Sequence, residues 1–220
     1  MKKINRSTFI KQSLKAGAIV AINPLPGLFL PTEKPTQYTL DEALLQRLVT
    51  ANDAQAEALL KQDIESKPFS RKTGADLEVL AASYCSPSSR FYQSGQVAAV
   101  LQTISLQLLK AQAEDGTANF GNLESPPDTA FLVELVAAAA TPLRREKAAA
   151  LVSVNNNIRQ FLVKAGNALV TGGVHTPNHR WVISAALARL NALFPSKTYV
   201  ERIDDWLGEG VYINSDGNYP

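Results

Sequence analysis

The stretch 129-TAFLVELVAAAA-140 carries a single charge, Glu134, and its apolar side chains fall on nearly every face of a helix. Such a helix is buried on all sides. Residues 181-WVISAALARLNAL-193 read in the same way. Two helices of this kind need other helices around them. Short connections between successive helical stretches predict antiparallel hairpins. Hairpins with one buried and one outer helix predict an all-α fold built as a layered ring or solenoid. No repeat at a fixed period is visible, which argues against the regular helical-repeat solenoids.

Outward from that centre the pattern stays helical. Thr39 and Glu42 match a capping box, predicting a helix to about residue 63 with Leu44, Leu45, Leu48, Leu59 and Leu60 on its apolar face. A second helix is predicted over about 75–86, ending before Pro87, and a third over about 94–113. The third has Val97, Val100, Leu101, Ile104 and Leu108 at helical spacing and stops at 115-DG-116. A polar loop, 115-DGTANFGNLESPPD-128, leads into the central helix. Pro142 is expected to open the next helix, which runs to about 170 and stops at 172-GG-173. The last two are expected from the residues after Thr176 to before Pro195, and over about 197–207. Residues 211-VYI-213 could form a short strand.

Composition narrows the function classes. The 22 basic and 20 acidic residues leave +2, and 45% of the 220 residues are hydrophobic, as in a chain that buries a core. Lys2, Lys3, Arg6, Lys11 and Lys15 precede the apolar run 16-AGAIVAINPLPGLFL-30, which 31-PTEKPTQ-37 breaks. That order is the pattern of an export signal, giving a division into 1–38, signal and linker, and 39–220, helical domain. The apolar run is short and proline-bearing, so no stable membrane span is expected, and a periplasmic or extracellular location is. With the leader set aside the chain is slightly acidic, which gives nucleic-acid binding no support. Cys85 is the one cysteine, so neither an internal disulfide nor a thiolate metal site is expected. The chain ends on the turn sequence 216-DGNYP-220, which predicts a further element beyond it.

Both histidines lie in 171-TGGVHTPNHRWVISAAL-187. Thr176 can cap the helix there, with Pro177 at its first position. Asn178, His179, Arg180 and Trp181 then fill a first turn, where unpaired backbone N–H groups favour anions. These four, with His175 on the approach, form a candidate anion or sugar site. Pro177 separates His175 from His179 and no carboxylate lies close in sequence, so no metal is expected, nor any cofactor. No G-x-S-x-G elbow occurs.

Asn178-His179 followed by an aromatic, in an all-helical chain with an export signal, resembles the Asn-His motif of alginate lyases and related polysaccharide lyases, the heparinase II/III-like proteins among them. The resemblance rests on residues 178–181 by motif and on 39–220 by architecture. It implies an incomplete (α/α) toroid acting on acidic polysaccharide by β-elimination. Asn178 would then help neutralise the uronate carboxylate, and His179 would remove the proton at C5. A tyrosine would donate to the leaving oxygen: Tyr212 or Tyr219 in the Gly-rich C-terminal segment or, less free to reach from its helix, Tyr199. The family's arginine finds no match after His179 other than Arg189 and Arg202. The residue types suit that chemistry: amide and guanidinium donors mask a carboxylate, and a neutral imidazole accepts a proton at neutral pH.

The loop before the central helix offers a second wall, with Asn119, Phe120, Asn122 and Asp128 able to stack on and hydrogen-bond a sugar. Residues 155-NNN-157 sit mid-helix, where asparagine is a poor former, and read as a solvated face or a cleft lining. Two alternatives stand beside the lyase: a non-catalytic helical glycan-binding or scaffold domain, and an (α/α) barrel glycoside hydrolase using Asp115, Glu124 or Asp128.

Overall fold

A computed structural model describes residues 41–121, 124–172, 177–208, 210 and 214–216. Seven α-helices stand among them: α1 Glu42–Leu60, α2 Arg71–Cys85, α3 Gly95–Lys110, α4 Pro126–Leu143, α5 Val152–Thr171, α6 Pro177–Leu193 and α7 Lys197–Gly208. A 3-10 turn, Ala149–Leu151, precedes α5. The all-α class is as the sequence predicts. The leader, Thr39, Asn122, His175, Thr176, residues 211–213 and Tyr219 lie outside the described residues.

The helices pack in two rows. α4 has α2 on one side and α6 on the other, while α3 and α5 lie beside one another in a second row. α5 also packs on α4 and α6, α7 folds back on α6, and α1 lies on α2 and α3. Within the first row the helices run parallel. Arg71 opens α2 and pairs with Asp128 in the first turn of α4. Further along, Arg189 of α6 pairs with Glu134 of α4 at 2.6 Å. The starts of α2, α4 and α6 therefore share one end of the domain. Leu77, Leu80, Leu132, Val133, Ile183 and Leu187 are fully buried in this row, which explains why α4 and α6 need so few polar positions.

Local chemistry sets the helix starts. Asp41 caps α1 by accepting from Leu44 N at 2.9 Å, in place of the expected Thr39 box. Ser70 and Thr73 form a reciprocal capping box that begins α2 four residues earlier than the apolar pattern indicates. Ser94 caps α3, and Ser125 caps α4 with Pro126 and Pro127 in its first turn.

Two expectations are corrected. Pro142 lies in the last turn of α4, where losing one N–H costs little beside the burial of Ala139, Ala140 and Leu143. The face of α1 is only partly buried: Leu59 is enclosed, but Leu44 and Leu48 are 48% and 60% exposed, because α2 and α3 cover mainly the later turns. There Asp53 is enclosed, its carboxylate accepting from Ser83 Oγ at 3.1 Å, Ser89 Oγ at 2.6 Å and Arg90 N at 2.9 Å.

Two of the three consecutive asparagines join helices. Asn155 donates to the carbonyl of Leu143 at 3.2 Å, and Asn157 to Ser105 Oγ of α3 at 3.0 Å. Asn156 faces solvent. Among the described residues no helix is long and apolar enough to cross a membrane.

Candidate functional site

The end of the domain where α2, α4 and α6 begin gathers both predicted groups. Connecting it is Gly172, the C-cap of α5, whose Cα lies so close to Pro126 that a Cβ there would sit 2.5 Å from the proline Cβ. The end of α5 is thus pressed against the start of α4. Arg202 of α7 donates to the Gly172 carbonyl at 3.2 Å and stacks 4.0 Å over the Trp206 ring.

Asn178, His179, Arg180 and Trp181 occupy the first turn of α6, as the sequence predicts. Asn178 is exposed and the other three are half-buried. His179 Nδ1 is enclosed and has no hydrogen-bond partner among the described residues. Arg202 Nε and Trp206 Nε1 are likewise enclosed and unpartnered there. An enclosed polar atom left unpaired costs about 1–3 kcal/mol, and Glu134 Oε1, Asn155 Oδ1 and Ser184 Oγ are in the same state. His175, Tyr212 and Tyr219 lie outside the described residues.

The polar loop is tied down by its own bonds. Asp115 accepts from Thr117 N at 2.8 Å and Thr117 Oγ1 at 2.6 Å, and these hydrogen bonds hold its carboxyl below the usual range. Gly116 takes φ +98° and lies against the Lys164 carbonyl of α5, an approach only glycine permits. Asn119 donates to Glu124 at 2.9 Å and accepts from Gly121 N at 2.7 Å. Phe120 stacks on Phe69, with ring centroids 5.6 Å apart and planes inclined by 20°. Asp128 pairs with Arg71, whose guanidinium also lies 4.6 Å over Phe131.

Asn119, Phe120 and Asp128 are therefore directed into the loop and the start of α2. Asn122 lies outside the described residues. The three carboxylates considered for hydrolysis, Asp115, Glu124 and Asp128, are each engaged in these bonds. Arg189 is committed to Glu134, while Arg202 reaches the approach to α6. Tyr199, on α7, is 5% exposed with its hydroxyl over Gly166, and burial pushes its phenol up.

The sequence reading did not include Arg71 or Trp206. Trp206 was legible in principle: Arg202 and Trp206 stand four apart on α7, where a cation and a ring meet. Among the described residues no three His, Cys, Asp or Glu side chains gather as a metal-binding set. No family model, no curated protein and no solved structure matches the chain.

Proposed function

We propose that this chain is an exported carbohydrate-active protein, a polysaccharide lyase that cleaves uronate-containing glycans by β-elimination on a partial (α/α) toroid. The observation that carries the reading is His179, half-buried in the first turn of α6 with Nδ1 enclosed and unpartnered among the described residues, between Asn178 and Arg180. A proton acceptor, an amide and a guanidinium within one helix turn are the residue types that abstraction beside a carboxylate requires.

In this reading the uronate carboxylate lies on Asn178 and the backbone N–H groups of the α6 first turn, with Arg180 or Arg202 neutralising it. Masking that charge acidifies the C5 proton. His179 takes the proton, the C5–H electron pair becomes the C4–C5 double bond, and the C4–O bond breaks. A proton is delivered to the departing oxygen, a role that the resemblance assigns to Tyr212 or Tyr219. Tyr199 is unsuited to it, because its hydroxyl is packed on Gly166. Trp181 provides an aromatic ring on which a sugar face can rest.

The bonded state of Asp115, Glu124 and Asp128 disfavours a hydrolase reading, which needs two carboxylates free to face one cleft. The test is whether the chain generates the unsaturated-uronate chromophore from alginate, polygalacturonate or heparin-type glycans. Retained binding without any cleavage would instead support a non-catalytic glycan-binding domain.

A further inference from the structure

Glu146 and Glu201 bracket 54 residues that contain no acidic side chain and six lysines and arginines. Seventeen basic and 20 acidic residues follow position 30, so the remainder outside this interval holds 11 basic against 20 acidic. Positive charge is thus segregated into α5, α6 and their connections.

The exposed side of α5 presents Asn156, Arg159, Gln160, Val163, Lys164 and Asn167 to solvent. These positions lie on one helix face and span roughly 17 Å at 1.5 Å per residue. Elsewhere Lys61, Lys67, Arg71, Lys72, Arg90 and Arg189 are neutralised by carboxylates. Arg159 and Lys164 form no ion pair among the described residues. Arg159 is steadied by the Phe194 ring, 5.8 Å from its guanidinium carbon. Lys164 acts electrostatically on Asp115, whose carboxylate is held mainly by Thr117.

We infer that this face of α5 is a binding track for an acidic glycan chain. Carboxylate or sulfate groups pair with Arg159 and Lys164, and hydroxyls bond to the amides of Asn156, Gln160 and Asn167. The spacing of charge selects the polymer: Arg159 and Lys164 stand roughly 7.5 Å apart along the helix, which suits a chain with at most one charge per sugar better than duplex DNA, with one charge per about 1.7 Å. The track goes beyond the lyase reading, since it needs an anionic glycan but not its cleavage.

The test measures binding of the full chain to alginate, polygalacturonate and heparin oligosaccharides by calorimetry at low and moderate salt. A neutral dextran and a single-stranded oligonucleotide serve as controls. Wild type should bind at least one acidic glycan and not dextran. Arg159→Ala combined with Lys164→Ala should weaken it about tenfold with a shallower salt dependence, at an unchanged melting temperature, while Lys110→Ala leaves it unaltered. Gln160→Ala should weaken binding without altering the salt slope. His179→Ala separates the two readings: it should keep this binding whether or not wild type cleaves. Wild-type affinity in the double variant, no binding of any acidic glycan, or equal affinity for the oligonucleotide would each overturn the track.

Discussion

Arg202 on α7 holds the carbonyl of Gly172 at 3.2 Å, so the last helix is tied to the C-cap of α5, the helix that precedes α6 and its His179. The guanidinium is itself braced by Trp206. Arg202→Ala removes a charged hydrogen bond and a stacked cation, and should lower stability by about 1–3 kcal/mol. Arg202→Lys should recover only part of this, because an ammonium lacks the planar fork. Chemical denaturation checks both, and an unchanged midpoint in the alanine variant would refute the clamp.

Gly116→Ala should destabilise by about 2–4 kcal/mol, since φ +98° disfavours a side chain and a Cβ meets the Lys164 carbonyl. The loop should loosen first. Faster amide exchange at Thr117 and Ala118 than in wild type, at equal exchange in α2, is the expected signature. Uniform exchange across the domain would show that the loop is not the part affected.

Asp53→Ala leaves two serine hydroxyls and the Arg90 amide without their acceptor and should cost about 2–4 kcal/mol. Ser89→Ala removes one donor and should cost less. A melt in which both variants match wild type would remove the carboxylate from the account of how α1 is held.

Much of this was legible locally. The apolar run of α4 required a buried helix, and the start of α3 expected near residue 94 is the one the structure keeps. The partly bare face of α1 was not legible, because an apolar stripe states that burial is favoured but not where a neighbour ends. Asp53 with Ser83 and Ser89, and Arg71 with Asp128, join residues 30 to 57 positions apart, a distance that spacing cannot read. At the site, the first turn of α6 was readable from Pro177 onward. The commitment of Phe120 to Phe69 and of Asp128 to Arg71 was not, since a loop's polar and aromatic residues suit a ligand or a neighbouring helix equally.

Burial, and secondly the Glu146 charge, push the Cys85 thiol up to about 11 from 9.0. The folded value is the higher one, so the fold favours the neutral thiol. That contribution is complete below pH 9 and is lost as pH rises towards 11. Native Cys85 should react slowly with a thiol reagent at pH 8 and quickly in denaturant. Stability should fall between pH 9 and 11, and fall less in Cys85→Ala. Rapid native labelling at pH 8 would contradict the shift.

The central claim rests on His179. The most direct measurement is the growth of unsaturated-uronate absorbance when the full chain meets alginate, polygalacturonate and heparin-type glycans. The account predicts turnover on at least one of them by wild type, a loss of at least about 100-fold in His179→Ala with the fold retained, and a smaller loss in Asn178→Ala. Absence of the chromophore on every uronate polymer, or undiminished turnover in His179→Ala, would contradict it.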